Sequence, residues 1–331
     1  MSLKSKRGFL LLGLAGLFAA GFLLSMVSGQ VRTSPAAFVD FLLGNDQSLR
    51  TIFWEIRLPR AILAFLIGAC LSLAGAILQG YFQNPMADPF VVGVSSGASL
   101  GAVLCLVLGL QASLAGFSTQ SLFAFLSGYG IVLLVYALSL KKGFFKVETL
   151  LLTGVAAGAL ASSLTSFFLF LRTDSYEQAV FWLLGSFQLA SWKQAGAVAP
   201  YLFICLAISQ WLAKDMNLLS LGDETAQSLG CPVPRVRKIF LATATLLAAV
   251  SVSVSGVIGF VGLVVPHWIR ILIGPDHRFL FAFSTLTGGV FLVFCDLIAR
   301  TILSSAELPI GIITAAVGAP FFIYLLHRKK G

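Results

Sequence analysis

Ten apolar runs dominate this chain, at roughly 8–28, 58–82, 92–111, 117–140, 149–171, 192–213, 238–256, 258–273, 279–303 and 308–327. Short polar segments divide them. A helix rises about 1.5 Å per residue, so most of these runs match the ~30 Å apolar thickness of a bilayer. In hydrocarbon every backbone amide must find an internal partner, which leaves helices or closed barrels. Long runs without two-residue alternation specify helices. The expected fold is all-α: a polytopic membrane protein of about ten transmembrane helices, with residues 1–331 forming a single transmembrane domain. Composition agrees. The chain is 58% hydrophobic and 11% charged, with mean hydropathy +0.96, whereas about a quarter of a soluble domain is charged. The first run follows Lys4, Lys6 and Arg7. It is longer than the ~7–15-residue apolar core of a signal peptide and is read as an uncleaved first helix.

Charge fixes the sides. With ten crossings, Lys4, Lys6, Arg7, Lys141, Lys142, Lys146, Lys214, Arg235, Arg237, Lys238, Arg270, Arg278, Arg328, Lys329 and Lys330 share one face. That is 15 of the 22 basic residues. The positive-inside rule makes this face cytoplasmic, together with both termini. An odd number of spans would split the clusters. The net charge of +9 resides in these flanks between spans, so no nucleic-acid partner is expected. Cys70, Cys105, Cys205, Cys231 and Cys295 form no close pair and are read as buried, inert thiols. The three histidines have no metal spacing to another His or Cys, so no metal site is expected.

An inverted repeat of spans 2–5 and 7–10 is suggested by two matches. Arg57-Leu-Pro-Arg60 and Arg235-Val-Arg-Lys238 open spans 2 and 7, and Phe90-Val-Val-Gly93 corresponds to Phe260-Val-Gly-Leu263. Span 8 is short and carries Gly256, Gly259, Gly262 and Pro266, while span 3 begins with Gly93, Ser95, Ser96, Gly97 and Ser99. Short or interrupted spans are tolerated where protein covers the backbone or a cavity lies beside it.

Energy coupling is the next question. No G-x-x-x-x-G-K-[ST] loop is present, so the chain holds no ATP by that device. Asp296 is the clearest intramembrane carboxylate, and Arg300 lies one helical turn on. A local ion pair and a proton relay are the two readings, the pair being favoured. The motor is therefore sought outside the chain. The long polar island 214–238 is where it would act. Asp223 caps a short helix there, Glu224 occupies its first turn, and Leu229-Gly230 stops it.

The run RLPRAILAFLIGACLSLAGAILQGYFQNPMADPFVVGVSSGASLGA (57–102) resembles the FecCD-type permeases. So do GVIGFVGLVVPHWIR (256–270), GPDHR (274–278) and AELPIGIITAAVGAPFFIYLL (306–326). These are membrane subunits of bacterial ABC importers for iron-siderophores, haem and cobalamin, and the likeness runs from about residue 8 to the end. It implies a homodimer of ten-span subunits in the bacterial cytoplasmic (inner) membrane, with the path at the dimer interface. Two cytoplasmic ATPases and an external substrate-binding protein complete the importer. No cofactor is expected in this chain, since ATP and Mg would sit on the partner ATPase.

The resemblance assigns roles by position. Residues 214–238 match the ATPase-contacting loop, with Leu219, Leu221, Gly222, Asp223, Glu224, Leu229 and Gly230 as the coupling surface. A surface helix lying on the membrane is the alternative. Arg60 and Arg300 match arginines that hold acidic residues of the binding protein, and Arg50 lies near a third such position. For Arg60 the other reading is interfacial anchoring, and for Arg300 it is pairing with Asp296. Asn84 and Met86 match positions near the cytoplasmic gate. A second gate position is small and polar in the cobalamin permease, whereas here it reads Lys146-Val147-Glu148, where local ion pairing is the favoured reading. Arg172, at the outer end of span 5, either attracts an anionic cargo or caps its helix and snorkels to the headgroups. His267 belongs to the family signature, and a structural role is favoured over haem ligation. The alternative function is an ion-coupled secondary transporter. A membrane-embedded enzyme finds no nucleophile, base or metal set spaced for chemistry.

Overall fold

The computed structural model describes residues 3–29, 33–44, 49–110, 112–114, 117–141, 144–145, 147–171, 176–303 and 306–328. The first half comprises α1 (Leu3–Val27), α2 (Pro35–Leu42), a π-helical segment Thr51–Arg57 running into α3 (Leu58–Tyr81), α4 (Val94–Val107), α5 (Thr119–Ser139), α6 (Val147–Leu171) and α7 (Tyr176–Leu183). Then come α8 (Trp192–Trp211), α9 (Ala213–Leu219), α10 (Asp223–Ser228), α11 (Val233–Ser255), α12 (Val261–Ile273), α13 (His277–Ala299) and α14 (Ile310–Arg328). Sheet is confined, among the described residues, to two antiparallel pairs of two-residue strands flanking α5.

Each apolar run of the sequence falls on a helix. Among the described residues six helices are long and apolar enough to cross a bilayer, and α8 with α9 makes a seventh candidate bent by 59°. Val94–Val107, Val261–Ile273 and Ile310–Tyr324 are apolar but shorter. The two short internal ones are those whose sequence carried the small residues.

Helix α3 is the axis of the molecule. It is almost wholly buried, and α13, α11, α12 and α8 pack round it. Glycines set the closest approaches. A Cβ on Gly75 would lie 1.8 Å from the Gly262 carbonyl oxygen, and one on Gly68 would lie 2.2 Å from that of Gly288. Lipid is as apolar as leucine, so association between spans relies on such close backbone packing. All five cysteines are free and buried, as the sequence suggests.

The two halves share one neighbour plan. Helix α4 packs on α5 and α6 as α12 packs on α13 and α14, and α3 lies against α13 as α11 lies against α5. Each short helix springs from a left-handed residue: Gly93 at φ 91° before α4, Phe260 at φ 68° before α12. In each half a glycine of the last helix receives that turn. Gly154 of α6 faces the backbone of Val91 and Val92, and Gly318 of α14 faces the Phe260 ring. The structural register is therefore Gly93 with Phe260. The sequence match, which set Phe90 against Phe260, is displaced by three residues. Phenylalanine is costly at positive φ, so similarity of apolar letters misleads where backbone conformation decides.

Candidate functional site

Polar chemistry gathers at two ends of the bundle. The first is the island after α8. The chain bends there into α9, whose Ala213, Met216 and Leu219 are buried. Met216 and His277 both close on Gly80, the glycine of α3 that leaves them room. The Asn217 amide donates to Asp276 Oδ1 (2.8 Å), and Asn217 Oδ1 accepts from the His277 backbone N–H (2.9 Å). Asp276 also caps α13 and pairs with Arg278 at 2.7 Å. The hydrogen bond from Arg278, aided by Asn217, holds the Asp276 carboxyl well below the usual carboxylate range. From the loop after α3, the Gln83 amide donates to the Leu219 carbonyl oxygen. Helix α9 is thus a buried foot, tied to α3 and α13.

Helix α10 stands on that foot. Its N-cap is Gly222, at φ 102° and ψ 152°, with no side-chain cap. The capping role expected of Asp223 is corrected accordingly. Asp223 is the first helical residue, and its carboxylate is drawn away by Arg237, which donates from Nη2 (2.6 Å) and Nε (3.1 Å). Arg237 also donates to the Tyr81 carbonyl oxygen (2.9 Å) and lies 5.0 Å over the Tyr81 ring. One buried guanidinium so fastens α10 to α3 and α11. A stacked, forked cation suits this three-way task better than lysine would. The helix stop lies where the sequence places it. Leu229 is the C-cap and Gly230 follows at φ 85°. The N–H groups of Gly230 and Cys231 close back on Gln227 and Ala226, satisfying orphan carbonyls.

The coupling residues divide by exposure. Leu221 and Leu229 are 61% and 58% exposed, and Glu224 and Gly230 lie open beside them. Leu219 is 1% exposed. It belongs to the core, and its assignment to the partner-facing surface is corrected: its side chain points down from the foot.

Beside the platform, Asn84 is exposed and its Oδ1 accepts from the Met86 backbone N–H (3.0 Å), forming a tight turn. Met86 is half-buried in a narrow apolar cleft with Leu263 and His267 of α12 and Phe321 of α14. His267 meets Phe321 edge-on. Asp88 accepts from the Phe90 backbone N–H (2.8 Å), yet burial pushes its carboxyl up to about 6. Its ordinary value is 3.8, so the folded chain holds an extra proton between about pH 4 and pH 6. Stability therefore falls as pH rises through that window and levels off above it. We expect Asp88→Asn, which keeps the acceptor, to abolish this fall of about 1–3 kcal/mol. Melting temperature against pH checks it, and an unchanged profile in the variant would assign the dependence elsewhere.

Glu148 lies exposed in the first turn of α6. Val147 opens that helix, while Lys146, its expected neighbour in an ion pair, and Arg172 lie outside the described residues.

The opposite end carries a buried ionic cluster. Arg60 donates to Asp296 from Nε (3.0 Å) and Nη2 (2.9 Å), and to Glu307 from Nη1 (3.0 Å). Arg300 lies 3.5 Å from Asp296 and donates to the Ser25 carbonyl oxygen at 3.0 Å. Arg57 donates to the Met26 carbonyl oxygen and to Thr33 Oγ1 and covers the Phe53 ring. Side-chain exposure is 11% for Arg60 and 3% for both Asp296 and Arg300. Arg60 and Arg300, expected to hold a partner's carboxylates, both lie against carboxylates of the chain itself. Asp296 and Glu307 fill the Arg60 fork, Arg300 reaches Ser25 beside Asp296, and the cluster joins α1, α3, α13 and the segment before α14. The pairing of Arg300 with Asp296 was legible one turn apart, but the better partner of Asp296 is Arg60. Arg50 is the exposed member of the three.

Comparison with known proteins agrees with this architecture. Residues 17–328 match the FecCD transport family. The chain is 42% identical over 293 residues to the cobalamin import system permease protein BtuC of Halobacterium salinarum, covering 87% of this chain and 76% of that one. It is 37% identical over 324 residues to the Fe(3+)-citrate import system permease protein YfmE of Bacillus subtilis, covering 98% and 96%. A solved structure of an ABC transporter described as metal-chelate type, in an inward-facing conformation, superposes with a TM-score of 0.84 at 32% identity, covering 96% and 98%.

Proposed function

The chain belongs to the FecCD transport family of ABC-importer membrane permeases, and from that premise we propose that two copies carry a metal chelate inward through the interface between them. The cargo class is an iron-siderophore such as ferric citrate, haem, or cobalamin, in keeping with the relatives named for cobalamin and Fe(3+)-citrate. The subunit is not itself an enzyme. Two ATPases engage the α9–α10 platform from the cytoplasm, where both termini also lie, and an external binding protein delivers cargo at the opposite face.

The platform is the observation that carries this reading. A six-residue helix has no stability of its own. Here it is fixed by a buried arginine below and offers Leu221 and Leu229 above. That is the form expected of an element that receives force from a soluble partner. Helix α6 supports the second copy and the path. Its outward surface mixes leucine and phenylalanine with exposed Ser162, Ser163 and Ser166. Three adjacent hydroxyl residues suit a wet interface better than lipid. The ion-coupled reading loses its best relay group, because Asp296 is held between Arg60 and Arg300.

Reconstitution in vesicles tests the proposal. Uptake of a cognate chelate is expected only with the ATPase, ATP inside the compartment that the platform faces, and the binding protein outside. Uptake driven by a proton or sodium gradient, with the chain alone, would overturn it.

A further inference from the structure

A cleft of about 140 Å³ opens between α5 and α11, away from both polar centres. Its floor is apolar: Val132 and Leu241 are 3% and 4% exposed. Its lip includes the exposed Ala242, so the cleft opens on the outer surface between two apolar helices. Four polar side chains line it: the Lys238 ammonium and the hydroxyls of Tyr129, Tyr136 and Thr245. Lys238 makes no ion pair among the described residues. The Thr245 hydroxyl, on a residue 2% exposed, has no hydrogen-bond partner there either. Lysine donates only, and each hydroxyl has a proton to give. An apolar groove whose polar groups are donors calls for an occupant with acyl chains and clustered, negatively charged acceptors.

We propose that this cleft binds one anionic phospholipid of the leaflet adjoining the α9–α10 platform. Its phosphate would sit at Lys238, and an acyl chain would cover Leu241 and Val132. Lys238 and Thr245 are seven residues apart, about 10 Å along the helix, so the donors follow the direction a lipid takes into the bilayer. Arg235, exposed in the first turn of α11, adds charge at the same end. A basic residue near an anionic surface attracts such lipids appreciably. The position is consequential. Lys238 follows directly on Arg237, the residue that fastens α10, so a lipid held at Lys238 braces the root of the platform.

The purified full chain, equilibrated with equal amounts of phosphatidylglycerol and phosphatidylcholine, is examined by native mass spectrometry. One phosphatidylglycerol per chain is expected to be retained in preference. Lys238→Gln is expected to lower that preference about fivefold. Ala242→Trp, which fills the cleft from its exposed lip, is expected to release the lipid while the melting temperature holds. Equal retention of the two lipids, an unchanged preference in Lys238→Gln, or a lipid still bound to Ala242→Trp would overturn the proposal. So would efficient cross-linking between copies through Ala242→Cys, which would make the second copy the occupant.

Discussion

Asp296→Ala is expected to destabilise the chain by about 3–5 kcal/mol, the range for removing one partner of a buried ion pair. The carboxylate is 3% exposed and serves two guanidiniums, Arg60 through three hydrogen bonds and Arg300 at 3.5 Å. Without it, Arg300 keeps only neutral partners at Ser25, and Arg60 keeps Glu307 alone. Arg57 and Arg300 both approach Gly29, so three neighbouring cations would be left with the one carboxylate that Arg60 holds. The double variant Asp296→Ala with Arg300→Met removes the stranded cation and replaces it by an apolar side chain. It should recover a large part of the loss, because buried ion pairs are often no more stabilising than apolar residues of similar volume. Thermal unfolding of the purified protein measures both. A melting temperature unchanged by Asp296→Ala would mean that the cluster does not hold the bundle together. It would return Arg60 and Arg300 to the docking of an external partner.

This cluster also marks the limit of what local sequence conveys. Arg300 is one turn from Asp296, and helical spacing alone brings them together. Arg60 is 236 residues away in sequence and meets Asp296 only because α3 and α13 pack along their lengths at Gly68 and Gly288. No pattern within either span announces that pairing. The spans themselves were legible, since hydrocarbon imposes one rule on every residue of a twenty-residue run.

The platform was legible in outline and mistaken in detail for a similar reason. A left-handed glycine after a short polar helix ends it almost regardless of context, so the stop at Gly230 was readable. The start was not. Asp223 is a good N-cap type, but a buried arginine fourteen residues on competes for the same carboxylate, and charge-assisted pairing wins. Leucines at 218, 219, 221 and 229 look alike in sequence. Which of them face a partner depends on where α9 bends from α8, a tertiary property that leaves Leu219 in the core and Leu221 outside.

That division gives the second large effect. Leu221→Asp combined with Leu229→Asp is expected to abolish ATP-driven uptake while leaving the fold intact. Both side chains are more than half exposed in the isolated chain, so a carboxylate there meets water and the melting temperature should hold within about 0.5 kcal/mol of stability. Against a soluble ATPase the balance reverses. A leucine buried at an interface contributes about 1.5–3 kcal/mol, roughly 10- to 150-fold in affinity for each residue, and a buried unpaired carboxylate adds a further penalty. Alanine at the two positions should weaken association without the charge penalty and leave partial uptake. Gly222 is a poor probe of the same surface, because at φ 102° any side chain strains the turn and would confuse folding with coupling. Leu219→Asp is the informative contrast. It should lower the melting temperature of the chain alone, since it places a charge in the core under α9. The measurements are uptake into vesicles, ATPase binding to the purified chain, and thermal unfolding of each variant. Normal uptake by the double aspartate variant would remove the α9–α10 platform from the mechanism. Loss of uptake with a normal melting temperature and weakened ATPase binding would locate the transmitted force in two exposed leucines, held in place by one buried arginine.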